Sequence, residues 1–332
     1  MYLLLGIAIL LAALLTFNSL ASLLVSLSWR LLGRHTHNWA ASAQARVLFL
    51  LRVLPVLASL AVMMFLIIPA YIEHEPRSTN EEVGYSLGFL AIASAAGILL
   101  AIVRGVASWR ATVRLRSDWL SHARPIPIEG INVRCYRIEH NFPLIAIVGI
   151  LRPRLFIASQ VFEKLQPSEI AGAVQHEIGH LLARDNLKRG VLRACRDVLL
   201  IIPCGRSLDL DWSRASEIAA DEHAARAKSG VALDLASALV KIARMIPSGA
   251  RPAMPAGVFF MGEEPSAIRA RVRRLVQLAG AEHKPANNNL VSRIAIWFSI
   301  VACLATLSFL STHSPILVSV HYFIEHAVHI LD

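Results

Sequence analysis

The sequence has little charge for its length. Only 17% of its 332 residues are charged, 55% are hydrophobic, and the mean hydropathy is +0.54. A soluble globular chain carries about 25% charged residues, so this balance argues against an ordinary soluble protein and predicts membrane segments. Acids are scarcer than bases, and the formal net charge is +10. Basic chains also bind nucleic acids, but no nucleic-acid motif is visible here, so we expect no direct nucleic-acid partner.

Cysteine is also scarce. The four residues are Cys135, Cys195, Cys204 and Cys303, and none has CxxC spacing. This argues against a disulfide framework and a cysteine-based metal site. We expect reduced cysteines that act as small buried hydrophobic side chains.

Four uncharged runs account for the high hydropathy: 3–29, 53–72, 83–103 and 294–312. Each is about long enough to cross a ~30 Å hydrocarbon core as a helix. The alternative is a set of buried helices in a soluble protein, but the runs are longer than soluble cores need. No basic residue precedes the first run, which is also longer than the apolar part of a signal peptide, so we expect a retained anchor.

The charges between the runs predict an orientation. Four Arg and no acid lie in 30–52, four Glu and one Arg lie in 73–82, and five Arg follow the third run in 104–124. Arg-rich segments stay in the cytoplasm. The sequence therefore predicts a multi-pass inner-membrane protein with both termini outside and residues 104–293 inside.

A metal-binding pattern lies in the predicted cytoplasmic part, at His176-Glu177-Ile178-Gly179-His180. Helical positions four apart share a face, so His176 and His180 can bind one ion. Glu177 beside them can activate a water molecule, which is the arrangement of zinc hydrolases. Pro167 and Glu169 are typical of a helix start, and the apolar spacing that follows predicts a helix over about 167–184. We expect one Zn²⁺ per chain and Glu177 as the catalytic base.

Catalytic zinc usually takes three protein ligands. Glu217 is the candidate for the third, and Asp221, four residues later on the same predicted helical face, can orient a ligating histidine. The alternative is a surface helix with solvated acids, since Glu222 is adjacent. Asp185 is expected at a helix end or behind a ligand, and His223 is expected at the surface.

Three short segments with strand character precede the helix: 132–138, 144–148 and 155–158. They predict a small antiparallel sheet, and an edge strand near the metal could take up an extended substrate by β-addition. The segment 191–203 is too short and too charged for a confident span. It is expected either in the core or against the membrane.

Together, the motifs resemble those of a known family. His-Glu-Ile-Gly-His at 176–180 and Glu-Ile-Ala-Ala-Asp at 217–221 resemble the integral-membrane gluzincin zinc metallopeptidases. The membrane plan and the segment 149–157 are most similar to the BlaR/MecR-type sensor-transducer peptidases. The resemblance implies a regulatory protease that hydrolyses peptide bonds of a cytoplasmic or membrane protein, with a transcriptional repressor as one candidate substrate. Only 313–332 follow the fourth run, so we expect no extracellular penicillin-binding sensor domain.

The related HtpX and CAAX-protease branch suggests an alternative. Its His-Pro-Ser-like run before an Arg-containing helix has a counterpart in Glu264-Pro265-Ser266, followed by Arg271. The histidine of that run is replaced by Glu264, to which we assign no catalytic role. Quality-control proteolysis of membrane proteins therefore stays open, as does a non-catalytic membrane transducer.

The sequence thus predicts an α+β membrane protein in which a zincin-type peptidase domain is inserted between the third and fourth membrane helices. The boundaries are 1–110 for three membrane helices, 111–290 for the cytoplasmic domain, 291–313 for the fourth helix and 314–332 for a short extracytoplasmic amphipathic tail. His321, Glu325 and His329 recur at four-residue spacing in the tail. They favour either one face of an amphipathic helix or an external metal or pH sensor. Expected partners are the lipid bilayer and a protein or peptide substrate, and small residues in the third run permit an oligomer.

Overall fold

A computed structural model describes residues 2–36, 39–76, 83–128, 133–200, 202, 205–228, 230–246, 265–280, 305, 306 and 308–331. Its first third is helical: α1 (Tyr2–Leu32), α2 (Ala41–Val62), a π-helical turn (Met63–Ile67), α3 (Ile68–His74) and α4 (Tyr85–His122).

Among the described residues, three helical segments are long and apolar enough to cross a membrane: Tyr2–Leu31, Ala41–His74 and Tyr85–His122. They contain the first two predicted runs and all but the first two residues of the third, which confirms three candidate membrane spans. Of the fourth run, 294–312, the structure describes only 305, 306 and 308–312. The predicted fourth helix therefore lies largely outside the described residues.

Helices α2 and α4 extend well beyond the apolar runs that predicted them. α2 begins twelve residues before the run at 53, and α4 has 38 residues. At 1.5 Å per residue α4 is about 57 Å long, whereas a bilayer core needs about 30 Å. No proline interrupts α4, so the helix continues past its apolar part and joins the membrane helices to the rest of the chain.

The sheet has four strands: β1 (Arg124–Ile126), β2 (Cys135–Ile138), β3 (Ile145–Val148) and β4 (Arg154–Ala158). Their order is β1-β2-β4-β3, and β2 and β4 run parallel. The predicted all-antiparallel sheet is therefore wrong, and the sheet is mixed. β3 and β4 do form an antiparallel hairpin, but this hairpin places β4 beside β2 and leaves β3 at the edge.

β1 was not predicted, because Pro125 and Pro127 indicate a chain break there. Proline cannot donate a ladder hydrogen bond and is tolerated at sheet edges. β1 is the other edge strand and pairs only with β2, so it can contain Pro125.

Seven helices follow the sheet within the described ranges: α5 (Ser159–Lys164), α6 (Pro167–Ala183), α7 (Asp185–Val198), α8 (Arg206–Ala227), α9 (Val231–Met245), α10 (Pro265–Ala279) and α11 (Ser314–Leu331). α6 matches the predicted helix closely. Its first turn is closed by Glu169, whose carboxylate accepts a hydrogen bond from the Gln166 N–H at 2.8 Å. It ends at Arg184, whose left-handed conformation (φ 56°) separates α6 from α7. The predicted segment 191–203 lies partly in α7, which packs against α4 and α2.

One hydrophobic core joins the sheet to the helices behind it. Phe156 of β4, Val174 of α6, Leu235 of α9 and Leu275 of α10 are all buried in it. α6 therefore lies between the sheet and α9, with α8 also packed against it. This position holds the metal-binding pattern in the interior of the domain.

The helix that carries Glu217 also contacts the membrane helices. Trp29 of α1 donates a hydrogen bond to Asp211 of α8 (Nε1 to Oδ2, 2.9 Å). Arg52 of α2, which is buried, pairs with Asp209 of α8 (Nε to Oδ1, 3.1 Å). The first half of α8 is thus attached to α1 and α2, while its second half reaches the candidate metal site.

Two cysteines and one glycine have packing roles in the structure. Cys135 and Cys195 are free and buried, as expected, and Cys204 and Cys303 lie outside the described residues. A Cβ on Gly97 of α4 would lie 2.4 Å from the Val198 carbonyl oxygen. Gly97 therefore allows α7 to approach α4 within this chain, which accounts for this small residue without an oligomer.

Candidate metal centre and its surroundings

The metal centre depends on the close approach of α6 and α8. A Cβ placed on Gly179 would lie 3.0 Å from the Cα of Ala220 and 3.2 Å from the Cβ of His223. Only a residue without a side chain allows the two backbones to come this close. Gly179 lies between the two histidines in sequence, and Ala220 lies one turn after Glu217.

The three predicted ligands meet at this crossing. His176 Nε2 and His180 Nε2 are 3.2 Å apart, and Glu217 Oε2 lies 3.6 Å from the first and 3.8 Å from the second. Ligand atoms 2.0–2.1 Å from one tetrahedral ion are about 3.3 Å apart. All three residues are buried. His176, His180 and Glu217 therefore form a buried group that could hold a metal ion.

The outer nitrogen of each histidine has a carboxylate partner. His176 Nδ1 lies 2.9 Å from Asp221 Oδ1, and His180 Nδ1 lies 2.8 Å from Asp185 Oδ2. A carboxylate behind each imidazole holds the proton on Nδ1 and leaves Nε2 as the metal-facing acceptor. The structure places Asp221 in the predicted orienting position. Asp185 takes the same role for the second histidine, because it begins α7 directly beneath the end of α6.

Arg271 completes the charge balance of the site. Its side chain, on α10, is buried and binds Asp221 through Nε at 2.8 Å and Nη2 at 2.6 Å. Its Nη1 lies 3.1 Å from Glu217 Oε2. Two buried carboxylates thus share one buried guanidinium, which offsets the cost of removing them from water.

These contacts move the pKa values of the ligands. Burial works to lower the pKa of His180, but its hydrogen bonds to Asp185 and Glu217 outweigh this effect and raise the pKa to about 9. Burial also opposes the change at His176, whose pKa is raised by Asp221 and Glu217. Burial works to raise the pKa of Glu217, yet Arg271 and the histidines bring it well below its ordinary value. Glu217 is therefore ionised, as a metal ligand must be.

Glu177 is a different kind of carboxylate. It is fully buried, and among the described residues no hydrogen-bond partner reaches either of its oxygens. Burial raises the pKa of its carboxyl to about 7, although His180 and His176 act in the opposite direction. An acid with this pKa takes up and releases protons near neutral pH, which suits a general base.

The edge strand β3 lies beside this carboxylate. The Ala158 N–H donates to the Leu144 carbonyl at 2.9 Å, so by alternation the main-chain groups of Ile145, Ile147 and Gly149 point away from β4. The Ile147 N–H is close enough to Glu177 to lower the pKa of its carboxyl. These outward-pointing main-chain groups therefore lie next to the candidate metal centre. The structure thus identifies β3 as the edge strand near the site.

Asn186, the second residue of α7, covers part of this edge. Its side-chain amide donates to the Ile147 carbonyl at 3.1 Å and to the Gly149 carbonyl at 3.3 Å. Asp185 and Asn186 together connect His180, a candidate ligand, to the edge strand. Asn186 was not among the predicted site residues, since an asparagine in an amphipathic helix has no distinguishing pattern.

Two connected clefts open along the edge strand. The smaller, about 380 Å³, is lined by Ile147, His180 and Asn186 among others. The larger, about 990 Å³, shares Gly149, Ile150, Leu151 and Asn186 with it and runs between α4 and α7. Its charged lining is predominantly basic: Arg104, Arg116, Arg152, Arg193, Arg196 and Asp197. The larger cleft along α4 therefore favours negatively charged groups.

The structure places His223 differently from its prediction. His223 is partly buried at the α6–α8 crossing and is not one of the three ligands, and burial lowers its pKa. Its predicted place at the surface is therefore wrong in part, because α8 presents this side chain to Gly179.

Glu264 lies outside the described residues. Arg271 was noted only as part of a family pattern, and no spacing in the sequence indicates that α10 brings it to Asp221.

No family of known proteins matches the chain, and a search of curated proteins finds no relative of it. The function must therefore be argued from the site itself.

Proposed function

We propose that this protein is a membrane-bound zinc endopeptidase. The observation that carries the proposal is the meeting of His176, His180 and Glu217 beside the buried carboxylate of Glu177. Two histidines and one carboxylate, all oriented by buried partners, are the ligand set of catalytic zinc and leave a fourth position for water. Bound there, Zn²⁺ would supply a Lewis acid that lowers the pKa of a water molecule and polarises a carbonyl group.

In this proposal, residues of the chain transfer the proton and hold the ligands in position. Glu177 accepts the proton of the attacking water and returns it to the leaving amine, and its buried position beside the two histidines suits this role. Asp221 and Asp185 keep the two imidazoles in the tautomer that presents Nε2. Arg271 holds Asp221 and Glu217 ionised and fixed in position.

The substrate in this proposal is an extended polypeptide. Residues 145–149 offer an edge row of main-chain groups next to Glu177, to which a peptide can add as a further strand. Asn186 occupies the carbonyls at the Gly149 end, so pairing is expected at the Ile145 end. The basic cleft continues from this edge along α4, and it favours a substrate with acidic residues beside the cleaved bond.

The membrane arrangement supports a regulated protease over a free enzyme. Trp29, near the end of one candidate membrane helix, and Arg52, in the interior of another, contact the helix that supplies Glu217. A shift of α1 or α2 would therefore move a metal ligand. This contact favours signal-dependent cleavage of a cytoplasmic or membrane protein, such as a repressor, over constitutive quality control. In this proposal the Arg-rich side of the membrane helices faces the cytoplasm, as does the peptidase domain.

The proposal is tested with the full chain in detergent, without an affinity tag that binds metal. Zinc content and cleavage of an unfolded test protein are measured for wild type, Glu177→Gln and Glu163→Gln. Glu163 is an exposed glutamate of α5 and provides the matched control. We expect all three proteins to bind zinc at the α6–α8 centre and only Glu177→Gln to lose cleavage, by a factor of at least about 100. Undiminished cleavage by Glu177→Gln, or a centre that binds no zinc, would refute the proposal.

A further inference from the structure

A second cluster of potential ligands lies far from the metal centre in sequence. It joins Glu75, which follows α3, to His321 and Glu325 of α11. One nitrogen of His321 and one oxygen of each glutamate lie within 4.8 Å of one another. The metal-centre ligands lie on α6 and α8, so the two groups have no residue in common.

The tail helix is docked firmly enough to present these side chains. α11 packs against α3 and α4. Its Ile324 is buried in one cluster with Leu5 of α1, Ile67 of the π-helical turn and Leu87 of α4. The His321 ring stacks on His74, with centroids 5.8 Å apart and an interplanar angle of 29°. The ring is thus held by packing on one face while its nitrogens point to the carboxylates.

The distances leave room for an ion. His321 Nδ1 lies 3.9 Å from Glu75 Oε2, which is too long for a hydrogen bond. This nitrogen is buried, and among the described residues no hydrogen-bond partner reaches it. Two ligand atoms on one tetrahedral ion are about 3.3 Å apart, so a shift of about 0.6 Å would let Glu75 and His321 share one.

Glu325 can supply the third ligand. Its Oε1 lies 3.3 Å from His321 Nε2, on the other side of the ring, and its side chain is 54% exposed. An ion takes only one nitrogen of the ring, so Glu325 would turn toward Nδ1, a movement that its exposure allows. By contrast, the Glu75 side chain is 7% exposed, and its carboxylate would lose little mobility on binding.

We propose that Glu75, His321 and Glu325 form a second metal site, which takes a divalent transition-metal ion and fastens the tail helix α11 to the end of α3. The mixed set of one imidazole and two carboxylates suits Zn²⁺ and similar ions, whereas Mg²⁺ and Ca²⁺ prefer oxygen ligands alone. The site goes beyond the peptidase function and does not depend on it. It also revises the sequence-based alternative of a metal sensor on His321 and His329, because Glu75 takes the place of His329.

The four-residue spacing in the tail provides a matched control. His329 lies on the same helix, is exposed, and does not belong to the cluster. His329→Ala therefore removes a histidine from α11 without touching the proposed site. Glu75→Gln keeps the size of the buried side chain and removes its charge. It therefore tests the same site independently, in case His321→Ala fails to fold.

The experiment counts zinc equivalents bound by the tag-free full chain in detergent, by elemental analysis after equilibrium dialysis against Zn²⁺. We expect two equivalents for wild type and His329→Ala, and one for His321→Ala and Glu75→Gln. The double variant His176→Ala/His180→Ala is expected to bind one, and its combination with His321→Ala none. Mg²⁺ in excess should not displace the second equivalent.

The outcomes separate the two proposals. Two equivalents in both His321→Ala and Glu75→Gln would overturn the tail site, as would a single equivalent in wild type that disappears in His176→Ala/His180→Ala. In that second case the peptidase proposal would stand. If wild type binds one equivalent that depends on His321 and not on His176, the tail site stands and the peptidase proposal fails.

Discussion

Arg271 donates two hydrogen bonds to the carboxylate of Asp221, from Nε to Oδ2 at 2.8 Å and from Nη2 to Oδ1 at 2.6 Å. The two residues are 50 positions apart in sequence, and both are buried. Asp221 in turn holds the Nδ1 side of His176. The pair therefore connects α10 to His176 through one carboxylate, although neither residue is itself among the three candidate ligands.

Replacing Arg271 should lower both the stability of the protein and its affinity for zinc. Arg271→Gln leaves Asp221 and Glu217 buried without their shared cation, and removing one partner of a buried ion pair costs about 3–5 kcal/mol. We expect a clear loss of thermal stability in detergent together with weaker zinc binding. Arg273→Gln changes an exposed arginine of the same helix and should alter stability by less than about 0.5 kcal/mol. Equal effects of the two variants would show that Arg271 does not have this role.

Asp185 should control metal affinity through His180. Asp185→Asn keeps the shape of the side chain but removes the negative charge that stabilises the ring at Nδ1. Loss of such a partner typically lowers metal affinity 10–100-fold. Zinc competition with a chelating dye measures this change, with the exposed Asp118→Asn as the control. An unchanged affinity in Asp185→Asn would mean that the contact is dispensable for binding.

The approach of α6 to α8 can be tested with two glycines. Gly179→Ala places a methyl group 3.0 Å from the backbone of Ala220, so α8 must move away and carry Glu217 from the histidines. We expect a loss of about 1–3 kcal/mol from overpacking and weaker zinc binding.

Gly190→Ala is the control for this prediction, because nothing lies within 4 Å of the added methyl group in α7. An alanine in a helix is favoured over glycine by about 1 kcal/mol. This variant should therefore be slightly more stable and bind zinc normally. If both variants behave alike, the close crossing at Gly179 is not what holds the ligands together.

Glu169 should give α6 a pH-dependent stability. Burial works to raise the pKa of its carboxyl, but Lys241, Ser237 and the Gln166 N–H together lower it below its ordinary value. A carboxylate whose pKa is lower in the folded state stabilises the fold above its unfolded pKa, about 4.3. That stabilisation is lost as the pH falls through the lower, folded value.

Glu169→Gln should therefore reduce stability at pH 7 by about 1–2 kcal/mol, since it weakens hydrogen bonds to a charged group. The difference from wild type should shrink as the pH drops below about 4. Unfolding in detergent across this pH range measures it. Glu163→Gln should follow wild type throughout, and a gap between Glu169→Gln and wild type that stays constant in acid would contradict the assignment.

Much of the site could be predicted from sequence because helices have a fixed period. His176 and His180 are four apart on one helix, and Glu217 and Asp221 are four apart on another, so each pair had to share a face. The long apolar runs and the start of α6 at Pro167 and Glu169 are local features of the same kind. For these elements the physical cause lies within a few neighbouring residues.

Tertiary structure alone decided the rest, because it joins residues that no local period relates. The parallel pairing of β2 with β4 depends on where the β3–β4 hairpin docks, which placed β3 at the edge beside Glu177. Arg271 reaches Asp221 only through the packing of α10, and Glu75 meets His321 across most of the chain. The sequence by itself determined which residues could bind a metal, and long-range packing determined which buried charges surround them and which strand edge lies beside them.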